Sequence, residues 1–150
     1  MHRAAMLLVA STLVAAAVDI AQSKPNFSGI WLPVSPPEAA AQGAEFHIKQ
    51  DASSITLGHP EGAHGPAHNP TYKLDGVEAR QPNLVHPSET DVTRAFWDGD
   101  RLVIVVRPEH GGPAHKRVLW LQPDGTLAME ITVSIAGQPE EVIKATFKKK

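Results

Sequence analysis

Histidines dominate the residues of this chain that can do chemistry. His59, His64 and His68 fall in one Gly/Pro-rich stretch, His86 in the next such stretch, and His110 and His115 around a third. Neutral imidazole is the commonest metal ligand, and three converging rings would hold Zn²⁺ or Cu²⁺ with one coordination position open. Spacings of five and four residues in a loop permit convergence without enforcing it, so a polar, solvated loop is the plainer reading of the same residues. Arg107, Glu109, His110 and His115 form a second constellation. A carboxylate beside an imidazole can orient a general base, and a guanidinium fork can clamp an anionic ligand. Neighbours on a strand point to opposite faces, however, which weakens the case for contact between them. Tyr72 is the only tyrosine. Its hydroxyl needs a partner if buried, which makes it a candidate cavity-lining group. No Gly-rich phosphate loop, nucleophile elbow or Cys/His pair is present.

Those residues must be positioned by strands. Turn signals recur at nearly even intervals: Gln50-Asp51-Ala52, Asp75-Gly76, Asp98-Gly99 and Asp124-Gly125. Each lies between stretches that alternate apolar and polar, the signature of successive β-hairpins. Phe46 and Ile48 share a face, as do Ile55 and Leu57, and Leu127, Met129, Ile131, Val133 and Ile135 alternate strictly. A strand from Phe27 is expected to end at Pro33, because proline cannot donate to a ladder. Glu38 to Gln42 can form one helical turn. Thr71–Leu74 and Val77–Arg80 read as a weak hairpin around Asp75-Gly76. Leu102 to Val106 is apolar on both faces, which predicts cover on both sides. Four tight turns alternating with longer loops give an antiparallel up-and-down β-barrel of 8 to 10 strands, with tight turns at one end and long loops at the other. No segment has the length of a crossover helix, so parallel α/β folds are excluded.

Composition narrows the setting. Met1-His2-Arg3 followed by the uncharged run Ala4 to Ala17 reads as an export signal over residues 1–17, with Ala15-Ala16-Ala17 fitting a small-residue cleavage site. Residues 18–26 read as a flexible lead-in and 27–150 as one barrel domain. The expected location is secreted or periplasmic. The chain has no cysteine, so neither disulfides nor a lipidated cysteine contributes. Its formal charge of −2, with basic residues dispersed, is not the clustered basic face of a nucleic-acid binder.

Asn26-Phe27-Ser28-Gly29-Ile30-Trp31 resembles the Gly-x-Trp opening strand of lipocalins and other calycins. Gln50-Asp51, Tyr72-Lys73-Leu74-Asp75-Gly76, Trp97-Asp98-Gly99 and Pro123-Asp124-Gly125 extend a resemblance to small secreted bacterial lipocalin-like domains. The resemblance implies a barrel plugged by Trp31 at its closed end. It also implies small apolar ligands, and no particular activity. In lipocalins an arginine on a late strand packs across that tryptophan. The last strand here offers only lysines, Lys144 and Lys148.

The expected function is therefore binding of a small apolar molecule, with Tyr72, Arg107, Glu109, His110 and His115 as candidate ligand contacts and His59, His64 and His68 as candidate metal ligands. No resident cofactor is expected beyond a Zn or Cu ion at the His loop. Three alternatives use the same residues: a cavity enzyme with His/Glu acid–base chemistry for isomerisation or hydrolysis, a metal-binding protein, and an interaction module, monomeric or homodimeric, docking through Leu102–Val106. No nucleic-acid partner and no membrane span in the mature chain are expected.

Overall fold

The computed structural model describes residues 23–59 and 69–150; the expected export signal over residues 1–17, His64 and His68 lie outside them. The elements in chain order are β1 (Gly29–Ser35), α1 (Pro37–Gln42), β2 (Phe46–Gln50), β3 (Ser54–Gly58), β4 (Thr71–Lys73), β5 (Ala79–Pro82), β6 (Thr90–Asp98), β7 (Arg101–Pro108), β8 (Ala114–Leu121), β9 (Leu127–Ser134) and β10 (Glu141–Lys149). All ten strands form one antiparallel sheet in the order β4-β3-β2-β1-β10-β9-β8-β7-β6-β5. The first and last strands pair, Trp31 opposite Lys149, so the sheet curls into an up-and-down barrel. Every pairing but β1–β10 joins strands consecutive in sequence, which places the tight turns at one end and the long loops at the other.

The ladder is not continuous around the barrel, because β4 and β5 are its two edges. The expected Thr71–Arg80 hairpin does not form, although both its strands do. The Leu74 N–H donates to the Ser53 carbonyl at 2.8 Å, while the Gly76 N–H donates to the Ala95 carbonyl at 2.9 Å. Chain before Asp75 is thus committed to β3 and chain after it to β6. The two diverge from that turn toward the loop end. Pro82 falls on the edge strand β5, where a missing N–H costs no ladder bond. β1 does not stop at Pro33; it continues to Ser35 through a register shift between Pro33 and Ser35, which accommodates the absent donor.

Side chains alternate as the pairing requires. One contiguous core joins Phe27, Trp31, Phe46, Ile48, Ile55, Leu57, Tyr72, Ala95, Leu102, Ile104, Leu119, Leu127 and Phe147. Trp31 is 2 % exposed, and its indole N–H donates to the Phe27 carbonyl at 2.8 Å. The cation that crosses it is Lys149, whose ammonium lies 5.6 Å from the ring centroid; Lys144 and Lys148 face outward. Gly29 is what allows this approach. Its φ is +147°, and a Cβ there would sit 2.7 Å from the Lys149 Cε. The Gly-x-Trp spacing therefore has a steric reason in this chain.

On the convex side, Val103 is buried between Phe96 and Val118 on its neighbouring strands. Arg94 covers Phe96 at 4.7 Å and Arg101 covers Trp120 at 4.5 Å. The second cover expected over Leu102–Val106 is thus supplied by side chains of adjacent strands, including arginine stems.

The turns are locked by their aspartates. Asp51 accepts from the Ser53 and Ser54 N–H groups, both at 2.8 Å, and Asp124 accepts from the Thr126 hydroxyl at 2.6 Å. Both carboxyls are held below the ordinary aspartate range, Asp51 chiefly by the Ser53 N–H and Asp124 chiefly by that hydroxyl. A depressed carboxyl contributes stability above its unfolded pKa and loses it as pH falls through the folded value. Melting temperature is therefore expected to decline once pH drops below about 3.8. Asp51→Asn should flatten part of that decline in a pH series of thermal melts; superimposable curves would contradict the turn's role.

Candidate functional site

The inner face is not uniformly filled. At the tight-turn end it is packed: Leu119 and Leu127 are 0 % exposed and Phe147 is 7 % exposed. Two positions further toward the loop end the same faces open. Arg117 follows Leu119 on β8, Ile131 and Val133 on β9 are half-buried, and Ile143 on β10 is 42 % exposed. The pairing confirms that these residues share one surface, with Ile104 opposite Arg117, Arg117 opposite Ile131, and Ile131 opposite Ile143. α1 does not close this end, since none of its residues is buried. The result is a bowl with a dense aromatic floor and an apolar, solvent-open upper wall.

A polar group sits in that wall. Arg117 is partly buried, and its Nε is shielded from solvent with no hydrogen-bond partner. No carboxylate among the described residues forms an ion pair with it. Burial pushes the guanidinium pKa down, an effect that the nearby Tyr72 opposes. Tyr72, buried on β4, has its phenol pushed up by burial, with Asp91 adding to the rise and Arg117 working against it. The phenol is therefore a protonated donor at neutral pH. Asp91 and Thr93 on β6 share the inner face and are both buried. Asn83 holds the Asp91 carboxylate with bonds of 3.1 and 3.2 Å, and the Thr93 hydroxyl donates to the Ala79 carbonyl at 3.4 Å. Asp91 and Thr93 are thus satisfied internally, whereas the Arg117 Nε is not.

Above this wall, a cleft of about 470 Å³ opens at the loop end between the β5–β6 and β7–β8 loops, lined by His86, Glu89, Asp91, Val106, Pro108 and His115 among others. A second cleft of about 400 Å³ lies at the opposite end, against Lys24, Gln50 and Trp97. There Gln50 ties down the lead-in, accepting from the Phe27 N–H and donating to the Pro25 carbonyl, both at 2.9 Å. That cleft shares no lining residue with the one at the loop end.

The other residues singled out from the sequence are placed as follows. His115 follows the inner-face parity of Arg117 and lines the mouth. Arg107 lies on the convex face and donates to Glu78 at 3.0 Å. Glu109 accepts from Arg80 at 2.7 Å, and that bond holds its carboxyl below the usual range. Arg107 and Glu109 therefore pair with β5 and its approach instead of with each other. His110 follows in the exposed β7–β8 turn. His59 lies on the Phe46 ring at 5.3 Å, its Nδ1 3.0 Å from the Glu45 carbonyl. Among the described residues no three His, Asp or Glu side chains are grouped for a metal. Arg117 is the residue that sequence reasoning passed over. Its signal was present: it shares the strand parity of Leu119 and Leu121, so an arginine stands on the apolar face of β8.

No protein-family model matches the chain, and no curated protein matches it. Solved structures do. Human cRBP IV aligns with 84 % of this chain and 99 % of its own, with a TM-score of 0.57 and 18 % identity. The apo form of Caenorhabditis elegans lipid binding protein 8 aligns with 83 % of this chain and 95 % of its own, with a TM-score of 0.60 and 12 % identity. At these identities the likeness is one of fold. What the chain shares with them is the up-and-down barrel built from its curled ten-stranded sheet.

Proposed function

We propose that this calycin-type barrel binds one small apolar molecule carrying an acidic group, in the open upper half of its interior, and acts as an exported binding protein after removal of residues 1–17. The observation that carries the reading is Arg117: a guanidinium set in an apolar wall, its Nε without a partner. Desolvating a charge costs several kcal/mol unless something compensates it. A ligand carboxylate would supply that compensation, in a charge-assisted and frequently bidentate arrangement. The Tyr72 phenol, protonated at neutral pH, is a second donor for the same group. Ile131, Val133 and Ile143 offer the apolar surface that such a molecule would cover. A largely apolar pocket with few polar anchors is the usual form of a small-molecule site. That one of the similar structures is, by its name, a lipid binding protein agrees with an apolar ligand.

The test is titration of a fluorescent fatty-acid analogue into the purified protein, followed by displacement with an unlabelled acid and with the alcohol of the same chain length. Stoichiometric binding is expected near micromolar concentration, about −8 kcal/mol, with the acid displacing at least tenfold better than the alcohol. Equal displacement by both would remove Arg117 from the account, and absence of saturable binding would remove the function.

A further inference from the structure

Resting on that reading, we infer that the site selects compact or medium-chain acids, and that the tail of a long-chain lipid would project beyond the barrel without adding affinity. The packed floor rises to the level of Arg117, since Leu119 beneath it on β8 is 0 % exposed and Ile104 opposite it on β7 is 2 % exposed. Above Arg117 the strand has only Lys116, His115 and Ala114 before it ends. At ~3.3 Å per residue that leaves about 10 Å of wall from the guanidinium to the mouth. Carbon–carbon bonds of ~1.5 Å advance an extended zigzag chain by about 1.25 Å each, so roughly eight methylenes span it. Over that distance the chain would meet Ile131, Val133, Ile143 and Val106. Beyond it the strands stop, and among the described residues α1, with no buried residue, gives no lid under which a longer tail could lie. The aromatic floor of Trp31, Phe46 and Phe147 blocks the alternative course downward. Phe46 and Phe147 meet at 5.5 Å, leaving no channel between them.

The experiment is calorimetric titration of the full chain with straight-chain acids from butanoate to hexadecanoate, each below its micelle concentration, and with the matching alcohols. Each buried methylene should tighten binding about fourfold. We expect that increment up to roughly eight methylenes and a plateau beyond. Ile143→Ser, a change at an already exposed position, should lower the plateau about tenfold. A fourfold gain per methylene sustained to hexadecanoate, with acids still preferred over alcohols, would overturn the length limit and spare the acid site. Loss of any acid preference across the whole series would overturn the underlying reading, and the length limit with it.

Discussion

Arg117→Met is expected to make the protein more stable and to abolish its preference for acids. The two effects have one cause. In the free protein the guanidinium is partly withdrawn from water with its Nε unpaired, and replacing a poorly compensated buried charge by an apolar side chain of similar size stabilises by about 1–4 kcal/mol. For a domain of this size each kcal/mol raises the melting temperature by roughly 3–5 °C. In the complex the same group would make charge-assisted bonds, each contributing about 1.5–3 kcal/mol, so acid affinity should fall roughly 10- to 150-fold while alcohol affinity changes little. Thermal melts and titrations of the variant check both halves. A variant that melts lower would mean that Arg117 serves the fold. One that melts higher and still prefers acids would mean that the anion sits elsewhere.

Trp31→Ala should have the largest effect on stability. The indole is 2 % exposed, bonded to the Phe27 carbonyl and crossed by Lys149. Removing a buried tryptophan deletes its transfer free energy and leaves a cavity that close neighbours fill only in part, a loss of about 3–5 kcal/mol. Small domains hold roughly 5–15 kcal/mol in total, so the variant should be near the edge of folding at room temperature. Trp31→Phe should fall between the two, because it keeps most of the plug and orphans the Phe27 carbonyl. Urea unfolding measures all three. A loss below about 1 kcal/mol for the alanine variant would show that the floor is held by other contacts.

What the sequence made legible was local. Asp-Gly turns and period-2 alternation act over a few residues, so the hairpins around Asp51, Asp98 and Asp124 and the segregation of loops to one end could be read directly. Two features depended on partners distant in the chain and could not. The Asp75-Gly76 turn carries the same local signal as the others, yet its flanks are captured by Ser53 and Ala95, and the sheet opens between them. Lys149 reaches Trp31 because β10 closes on β1, a pairing with no local signature.

The candidate site shows the same division. Tyr72 stands out in the sequence because a lone tyrosine in a strand invites the question of its partner. Arg107 and Glu109 drew notice by adjacency, and the fold turns each toward a different residue of the β5 region. Arg117 was hidden by its surroundings, Lys116 and Arg117 together reading as ordinary surface charge. Only the parity it shares with Leu119 and Leu121 distinguishes it.

The most direct test of the central claim is a crystal structure with octanoate bound. The account predicts the carboxylate within about 2.7–2.9 Å of the Arg117 guanidinium and the chain running past Ile131 and Ile143 toward the mouth. Octanoate in the Trp97 cleft at the opposite end, or an upper interior packed shut by side chains, would contradict it.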